Sequence, residues 1–458
     1  MRRCFDWLPG FARPWWARVE SSALGARLAR GAFWSLAGAA ITRCLALAGS
    51  VLVARILGKE GFGELGIIQS TTGMFGVFAG FGLGLTSTKY VAEFRAKDPP
   101  KAGRIMALSA VVAWMTGAVA AAALWVVAPW LAEHSLAAPH LAPGLRISCL
   151  MVLLGAVNGA QMGALVGFES FKAVAGVNLL TGLASVPLPA FGAWIWGLDG
   201  AVWGLVGSMA LNAVLNNLAL RTASARARVP MFPPRWRGEW EVVWRFNAAS
   251  LLSSGVSWPA QWLCGAIVVN QPDGYAQMGI YNVAAQWRTG ICTIPAAVLG
   301  IVLPVLSGLH GDGDRRTFAK VVRYHAALNG AIAALLAAPV AMLAPVILSA
   351  YGAAFLPGCA TLRTLSVVAV AMSISAVTSQ AMAGAGRVVW MVGTTLICAG
   401  LAVVGTYLMR NQGAMGLAWS LLAAQVLSLL MGAAFVTTTM RDKAPATPGS
   451  SRKEAPVL

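Results

Sequence analysis

Charged side chains are scarce in this sequence. Asp, Glu, Lys and Arg together make up 11% of its 458 residues, whereas 58% of the residues are hydrophobic. Soluble domains carry about 25% charged residues. A chain this poor in charge cannot cover a folded surface of its size with water-facing groups, so an ordinary soluble protein is excluded. Lipid must be the solvent for most of its surface.

Acidic residues are scarcer than basic ones, with 16 Asp and Glu against 34 Lys and Arg. None of the acids lies deep in a predicted membrane span. A cation-coupled drug exporter needs a buried carboxylate to bind Na⁺ or H⁺, so this absence argues against that class. The seven cysteines and four histidines have no metal-ligand spacing, and we predict no metal and no cofactor. Phosphate-binding loops and hydrolase motifs are also missing, so we predict that the protein is not an enzyme.

Long apolar runs fill the chain instead. A helical span needs about 20 mostly apolar residues, whereas a membrane β-barrel would consist of short alternating strands. We count twelve apolar runs and predict an all-α polytopic membrane protein. The runs cover residues 31–53, 64–88, 105–130, 144–166, 174–196, 201–220, 246–270, 279–306, 326–350, 364–384, 388–409 and 416–438.

The basic residues set the orientation. Lys and Arg collect on the cytoplasmic side of membrane proteins. With twelve spans, 27 of the 34 Lys and Arg residues fall on the side of the two termini. The net charge of +18 therefore encodes membrane topology and not nucleic-acid binding. We predict that both termini are cytoplasmic.

This span order divides the chain into five segments. The first is an interfacial arm rich in Trp and basic residues, because aromatic and cationic side chains anchor a segment at the membrane surface. Two lobes of six helices, the linker between them and a disordered tail make up the rest. The segments are the arm at 1–30, the N-terminal lobe at 31–220, a cytoplasmic linker at 221–245, the C-terminal lobe at 246–438 and the cytoplasmic tail at 439–458.

The two predicted lobes resemble each other in sequence. The glycine-punctuated turn at 61–67 aligns with 274–280 at an offset of 213, and the segment at 144–150 aligns with 361–367 at an offset of 217. Six is an even number of spans, so each half begins on the same side of the membrane. Such parallel repeats form transporters with the substrate site between the halves. We therefore predict two pseudo-symmetric six-helix lobes around a central cavity; chance similarity of glycine-rich helices is the alternative.

Two segments carry a family resemblance. The stretch "LVARILGKEGFGELGIIQSTTGMFGVFAGFGLGLTSTKYVAEF" (52–94) and the stretch "GALVGFESFKAVAGVN" (163–178) resemble bacterial polysaccharide exporters. These are the O-antigen and exopolysaccharide flippases of the multidrug/oligosaccharidyl-lipid/polysaccharide exporter superfamily. The resemblance implies a multi-pass protein of the bacterial inner membrane that moves a polyprenyl-pyrophosphate-linked oligosaccharide by alternating access. Membrane lipids and the polymerase and glycosyltransferases of the same pathway are the implied partners.

Arginines inside spans are the first candidates for the site, because a charge in a span is costly and marks function by default. Arg43 lies near the middle of the first span and Arg288 lies in the eighth. Guanidinium groups match phosphate oxygens, so we predict that both line the cavity and bind an anionic head group. Arg146 and Arg363 lie near the outer ends of their spans, and we expect them to reach the membrane interface.

Helical phase adds polar candidates. Asn282, Gln286 and Thr289, followed by Thr293, share one face of the eighth span. A polar face avoids lipid, so we predict that it lines the cavity, where amides and hydroxyls bind sugar hydroxyls. The equivalent face of the second span carries Gln69, which is included in the site, and then Gly73, Gly76 and Gly80. For those glycines helix packing is the preferred interpretation.

Three other functions remain in view. An exporter of another amphipathic anion would carry the same arginines. A membrane-embedded polysaccharide polymerase or ligase is disfavoured by short outer loops. A flippase for peptidoglycan precursors is expected to have fourteen spans, against the twelve counted here.

Overall fold

A computed structural model describes residues 23–80, 82–231, 240–311 and 315–441. These ranges are almost entirely helical and contain no strand. Most of the predicted arm, part of the predicted linker and nearly all of the predicted tail lie outside them. The helices are α1 (Ala23–Gly80), α2 (Leu83–Phe94), α3 (Pro99–Trp130), α4 (Ala142–Gly167), α5 (Phe171–Ala184), α6 (Pro187–Ala227), α7 (Trp240–Val269), α8 (Gly274–Gly311), α9 (Arg315–Met342), α10 (Ala344–Tyr351), α11 (Cys359–Gly384), α12 (Val388–Leu408) and α13 (Gly413–Arg441).

The chain reverses within α1. Gly58 has a positive φ of 70°, a conformation that glycine adopts without steric cost. In the arm before Gly58, Arg43 lies beside Gly290 of α8. At the turn itself, Lys59 lies beside Gly279 of α8. This first arm therefore runs antiparallel to α8.

In the arm after Gly58 the pairing runs the other way. Gly63 lies beside Gly279 and Gly66 lies beside Asn282, so this second arm of α1 runs parallel to α8. The interruption at Gly58 is therefore the tip of a helical hairpin, as the glycine-punctuated sequence predicts.

A second reversal lies within α6. Trp196 and Gly197 have non-helical dihedral angles. The helix before them packs against the helix after them, with Gly192 against Gly200 and Leu188 against Gly204. A side chain at any of these glycines would overlap the facing backbone, so small residues allow the two arms to touch. Small residues serve helix–helix packing in membranes in the same way.

Eight helices of the described ranges are long and apolar enough to cross a membrane. Two of these eight, 41 and 57 residues long, contain the reversals at Gly58 and at Trp196–Gly197. A single assigned helix can therefore hold two crossings. The all-α membrane fold is confirmed, whereas the number of twelve spans stays a prediction.

The sequence repeat reappears as a structural repeat. Helices α4 and α11 both have 26 residues and begin 217 residues apart. The helices that follow them, α5 and α12, also begin 217 residues apart. Gly197 and Gly413 have φ values of 59° and 55° at equivalent turns. The two halves of the chain are built on one pattern.

The helices form two lobes. Helices α1 to α6 pack mainly with one another, and α7 to α13 do the same. Helix α1 is the main link between the lobes and contacts α7 and α8. Both arms of α1 together with α7 and α8 therefore form a core of four helical segments where the lobes meet.

The two ends of the bundle differ. We call the end that carries Gly58 and Asp273 the hairpin end, and the opposite end the basic end. The basic end carries Arg95, which forms an ion pair with Glu169. Further basic residues at the same end are Lys97, Lys101, Arg104, Lys172, Arg226, Arg228, Lys320, Arg323 and Arg387.

Three predicted spans are interrupted. The run at 64–88 bends at Gly82, which has a φ of 65°. The run at 174–196 breaks where α6 restarts at Pro187, and the run at 326–350 breaks where α10 restarts with a proline at its beginning. Proline lacks an amide hydrogen and suits the first turn of a helix. These breaks follow from backbone chemistry that an apolar run does not reveal.

The lobes approach most closely where the second arm of α1 crosses α8. A Cβ added at Gly63 would overlap the carbonyl oxygen of Tyr275, and one added at Gly279 would overlap the carbonyl oxygen of Lys59. Both obstacles are backbone atoms, which cannot rotate away. The helices can touch here only because both positions are glycine.

We expect Gly279→Ala to lower the thermal unfolding midpoint of the detergent-solubilised protein, because overpacking costs about 1–3 kcal/mol. Gly400→Ala is the matched control. A Cβ at Gly400, within α12, meets nothing within 4 Å, and alanine there gains about 0.5–1 kcal/mol of helix propensity. Equal midpoints for the two variants would contradict the close crossing.

Candidate functional site

The second arm of α1 and α8 separate toward the basic end. At the hairpin end Asn282 packs against Gly66. Two turns further along the same face of α8, Thr289 is exposed. On the facing helix a Cβ at Gly76 or Gly80 would meet nothing within 4 Å. The two helices therefore border a wedge-shaped opening, which we call the crevice and define by Gln69, Gly76, Gly80, Gln286 and Thr289.

The predicted polar face lies along this crevice. Gln69 and Thr289 are exposed and Gln286 is half-buried. The hydroxyl of Thr289 donates to the carbonyl oxygen of Ala285, which leaves its lone pairs free to accept. Asn282 closes the narrow end, and its amide Nδ2 is buried without a hydrogen-bond partner. Asn282, Gln286 and Thr289 thus follow one face of α8, and Asn282 lies against the helix that carries Gln69; that the four side chains form a binding site stays a prediction.

The glycines of the second span have two roles. Gly73 packs against the indole of Trp258, where a Cβ would come within 2.5 Å of the ring. Gly76 and Gly80 face open space instead. Helix packing therefore explains Gly73, whereas the two later glycines leave the crevice wide.

Arg43 lies beside the crevice, on the first arm of α1. A Cβ at Gly290 would be 3.4 Å from its Nε, so the glycine makes room for the guanidinium against α8. The Nε and Nη2 atoms of Arg43 are buried without a hydrogen-bond partner. Buried unpaired donors of a cation cost several kcal/mol. Such a group is suited to accept an anionic ligand.

Arg288 faces away from Arg43. The two residues Arg288 and Gly290 are separated by about 200° around α8, since each residue of an α-helix turns by about 100°. Gly290 faces Arg43, so Arg288 faces the interior of the C-terminal lobe. Cys292, one turn further along the same face, donates to the carbonyl oxygen of Ala369 on α11. The structure therefore does not bring Arg288 to the crevice.

Arg288 lines a separate cavity of about 360 Å³ between α7, α8, α11, α12 and α13. We call this cavity the chamber. Hydroxyl and amide groups dominate its polar lining, and no acidic residue of the part of the chain that the structure describes lines it. The polar residues are Ser257, Gln261, Ser375, Ser379, Thr394, Thr395, Gln425 and Ser428.

The chamber was not predicted from the sequence, although the sequence carries a signal for it. Its hydroxyls and amides recur three or four positions apart within α7, α11 and α13, and they flank one face of each helix. Each helix taken alone has a small polar patch that a backbone carbonyl can satisfy. Only the packing of the helices shows that the patches converge on Arg288.

The lobes are joined by hydrogen bonds at the hairpin end. Ser50 and Tyr351 exchange a hydrogen bond of 2.9 Å between their hydroxyls. Arg55 donates from Nε to the carbonyl oxygen of Ala350 at 2.6 Å. The rings of Phe62 and Phe355 meet edge to face beside them, with centroids 6.4 Å apart.

Two further bonds end on the turn after α3. Asn270 donates to the carbonyl oxygen of Ser135, and the hydroxyl of Tyr275 donates to the carbonyl oxygen of Leu136, each at 2.7 Å. Burial, with a smaller effect of the Glu64 carboxylate, raises the pKa of Tyr275. Its hydroxyl therefore stays protonated and remains a donor. These contacts close the lobes together at the hairpin end.

The two outer arginines, Arg146 and Arg363, lie in the first turns of α4 and α11, and their position at the membrane interface stays a prediction. Both are exposed. Arg146 stacks over the ring of Trp125 at 5.0 Å, and Arg363 donates from Nε to the carbonyl oxygen of Ala341 at 3.2 Å. Each is held by the span that precedes it, and neither faces the crevice.

Two repeated lobes that join at one end and part at the other define a class of membrane transporter. The fold is that of the MATE multidrug resistance transporters of the MOP superfamily. An inward-facing MATE transporter matches with a TM-score of 0.68 and 18% identity, over 88% of this chain and 96% of that one. A MOP superfamily transporter from Pyrococcus furiosus, described as having a binding pocket of reversed polarity, matches with a TM-score of 0.66 and 16% identity, over 91% of this chain and 96% of that one.

The chain belongs to the polysaccharide biosynthesis protein family, whose model matches residues 28–310. The EPS I polysaccharide export inner membrane protein EpsE of Ralstonia nicotianae is 25% identical over 347 residues, which is 74% of this chain and 77% of that protein. Its namesake from Ralstonia solanacearum is 24% identical and covers 77% of this chain and 80% of its own length. The predicted resemblance to polysaccharide exporters of this superfamily is confirmed.

The crevice predicts a pattern of thiol accessibility. In an otherwise cysteine-free variant, we expect Thr289→Cys to react with a membrane-impermeant maleimide at least tenfold faster than Asn282→Cys, because Asn282 is packed against Gly66. Ile397→Cys, exposed on α12 within a predicted span, is the lipid-facing control and should not react. An unreactive thiol at 289 would mean that the crevice holds no water.

Proposed function

We propose that this protein is a flippase of the bacterial inner membrane that translocates a polyprenyl-pyrophosphate-linked oligosaccharide for the synthesis of O-antigen or exopolysaccharide. Membership of the polysaccharide biosynthesis family and the names of the Ralstonia relatives support polysaccharide export at the inner membrane. The observation that carries the finer proposal is Arg43, a cation with unpaired buried donors beside the crevice.

Arg43 suits a pyrophosphate. A guanidinium group offers a planar fork of donors that matches phosphate oxygens, and it stays charged when desolvated. Hydrogen bonds between charged groups contribute about 1.5–3 kcal/mol each. A pyrophosphate would satisfy the Nε and Nη2 donors that the protein leaves unpaired, so the cost of burying this cation is offset only when the substrate is bound.

The crevice suits the sugars. Gln69, Gln286 and Thr289 offer amides and a hydroxyl, which can exchange hydrogen bonds with sugar hydroxyls. A polar head group cannot cross hydrocarbon unaided, since each uncompensated hydroxyl costs about 2–7 kcal/mol. The polyprenyl chain needs no such help and stays in the lipid beside the lobes.

The closed hairpin end supports alternating access. We assign the basic end to the cytoplasm, with both termini there, because Lys and Arg mark that side. The substrate then enters the crevice from the inner leaflet. Each hydrogen bond at the hairpin end contributes about 0.5–1.5 kcal/mol net to holding the lobes together. The free energy of binding a charged head group is large enough to offset several such bonds and so to shift the lobes. Rocking of the lobes then exposes the head group outside.

Transport accounts for these observations better than catalysis does. The relatives are named for export and the structural neighbours are transporters. The polar groups of the crevice hold and release a ligand; they supply no general base beside a nucleophile. The polymerase and glycosyltransferases that consume and supply the lipid-linked unit act as separate partners.

The proposal predicts a charge requirement at Arg43. In a strain that lacks the native copy, we expect Arg43→Ala to lower surface polysaccharide at least tenfold and to accumulate inward-facing lipid-linked units. The loss of one charge-assisted hydrogen bond, at about 1.5–3 kcal/mol, accounts for this factor. Arg43→Lys should retain part of the export, since the charge remains but the fork is lost.

Arg146→Ala is the matched control, because it also removes an arginine from a membrane helix but one that lies against Trp125 and outside the crevice. Its export should equal that of the native protein. Normal export by Arg43→Ala, at equal abundance in the membrane, would remove Arg43 from the transport pathway.

The crevice itself can be filled. We expect Gly76→Phe to abolish export without lowering the thermal unfolding midpoint, because a side chain at Gly76 meets no neighbour within 4 Å and enters the space that the sugars need. Gly400→Phe adds the same ring at an open position of α12 and should export normally. Full export by a stable Gly76→Phe protein would place the pathway elsewhere.

A further inference from the structure

The chamber of the C-terminal lobe holds a positive charge that the protein does not neutralise. Between Asp273 and Asp442 the only acidic residues are Asp312 and Asp314, which follow the basic end of α8. Within the described ranges, no carboxylate lines the cavity around Arg288. Arg288 interacts with the hydroxyl of Tyr281, which is neutral and does not compensate the charge, and a cation without a charged partner within a membrane helix costs several kcal/mol. An anionic ligand would remove this cost.

The lining does not suit a hard metal ion as the occupant. Sites for hard cations combine carbonyl oxygens with carboxylates, whereas the polar groups that line the chamber, among the residues that the structure describes, are neutral hydroxyls, amides and the Cys264 and Cys398 thiols beside the Arg288 guanidinium. Ser375 donates to the amide oxygen of Gln425 at 3.0 Å, which leaves the NH₂ group of Gln425 as a donor. The hydroxyls of Thr394 and Thr395 donate to backbone carbonyl oxygens and so can accept from a ligand. The Gln425 amide and the Arg288 guanidinium are donors, so the chamber suits a ligand that carries both acceptors and hydroxyl donors.

The volume favours a sugar over a simple anion. At about 360 Å³ the chamber is at the lower end of the range for small-molecule sites, about 300–1,000 Å³. A phosphate or chloride ion would leave most of it empty. Hydroxyl and amide groups reach the cavity from α7, α11, α12 and α13, whereas Arg288 lies on one wall only. This arrangement matches a polyhydroxylated ring that carries one acidic group.

We propose that the chamber is a binding site for a single acidic sugar, whose carboxylate or phosphate is held by Arg288 and whose hydroxyls are held by side chains such as Gln261, Ser379 and Gln425. The site is distinct from the crevice, because Arg288 and the Gly290 contact of Arg43 lie on opposite sides of α8. Binding of the acidic sugar to the chamber does not depend on the proposed function. The further conclusion that the exported polysaccharide contains an acidic sugar rests on the proposed function.

The test uses the full chain in nanodiscs of phosphatidylcholine, with calorimetric titration of glucuronate, glucose 1-phosphate, glucose and inorganic phosphate. Glucuronate or glucose 1-phosphate should bind at least tenfold more tightly than glucose and than inorganic phosphate. The preferred one of the two identifies the acidic group. Arg288→Gln should weaken this binding at least tenfold, and Arg288→Lys should weaken it less.

Two further variants keep the test decisive if Arg288→Gln fails to fold. Ser379→Ala removes one lining hydroxyl and should weaken binding about two- to tenfold, the effect of one net hydrogen bond. Arg363→Gln removes an exposed arginine of α11 and should leave binding unchanged.

Equal affinities for glucose and glucuronate would contradict the role of the charge in binding. If inorganic phosphate bound as tightly as glucuronate, the proposal that the ligand is a sugar would be contradicted. Absence of binding by all four probes would overturn the site. The outcome is separable from that of the export assay. Normal export by Arg43→Ala contradicts the flippase pathway and leaves the chamber intact, whereas loss of export by Arg43→Ala without acidic-sugar binding contradicts the chamber alone.

Discussion

The whole arrangement depends on the close crossing of the second arm of α1 and α8. Gly63 and Gly279 let two backbones touch at the hairpin end, which in turn brings Phe62 against Phe355 and Ser50 against Tyr351. Further along the same helix, Gly76 and Gly80 have no neighbour within reach of a Cβ, and the crevice is the result. Dispersion and hydrogen bonds drive helix association within a bilayer, since lipid is as apolar as the helix faces. A few missing side chains therefore shape the site as much as the polar groups do.

The charged residues are also few, and their positions differ in role. The basic residues of the loops lie mainly at the basic end, whereas the two interior arginines have different surroundings. Arg43 is pressed against α8 with two unpaired nitrogen atoms, and Arg288 lines a polar chamber without a carboxylate. A small cavity of about 110 Å³ within the N-terminal lobe is lined by only two polar side chains, Gln161 and Asn217. The repeat thus supplies the shape of both lobes, while each lobe carries one interior arginine in different surroundings, Arg43 beside the crevice and Arg288 in the chamber.

Much of the fold is predictable from the sequence, because lipid imposes simple rules on length and composition. The apolar runs, the repeat offset of 217 and the hairpin tip at Gly58 all reappear in the structure. The breaks at Gly82 and Pro187 do not follow from hydropathy, since they depend on local backbone conformation. The face of Asn282, Gln286 and Thr289 is predictable from helical phase. The opposed directions of Arg43 and Arg288 are not, because they require knowledge of which helices pack on each side of α8.

The aromatic rings at the hairpin end give the lobe movement a thermal signature. Phe62, Tyr351 and Phe355 are at most 4% exposed while the lobes are joined. Parting of the lobes would hydrate them, and exposure of apolar surface raises the heat capacity by about 0.45 cal/mol/K per Å². Burial of such surface weakens on cooling. The balance between the two lobe arrangements therefore shifts with growth temperature, and a cold membrane favours the arrangement that opens outward.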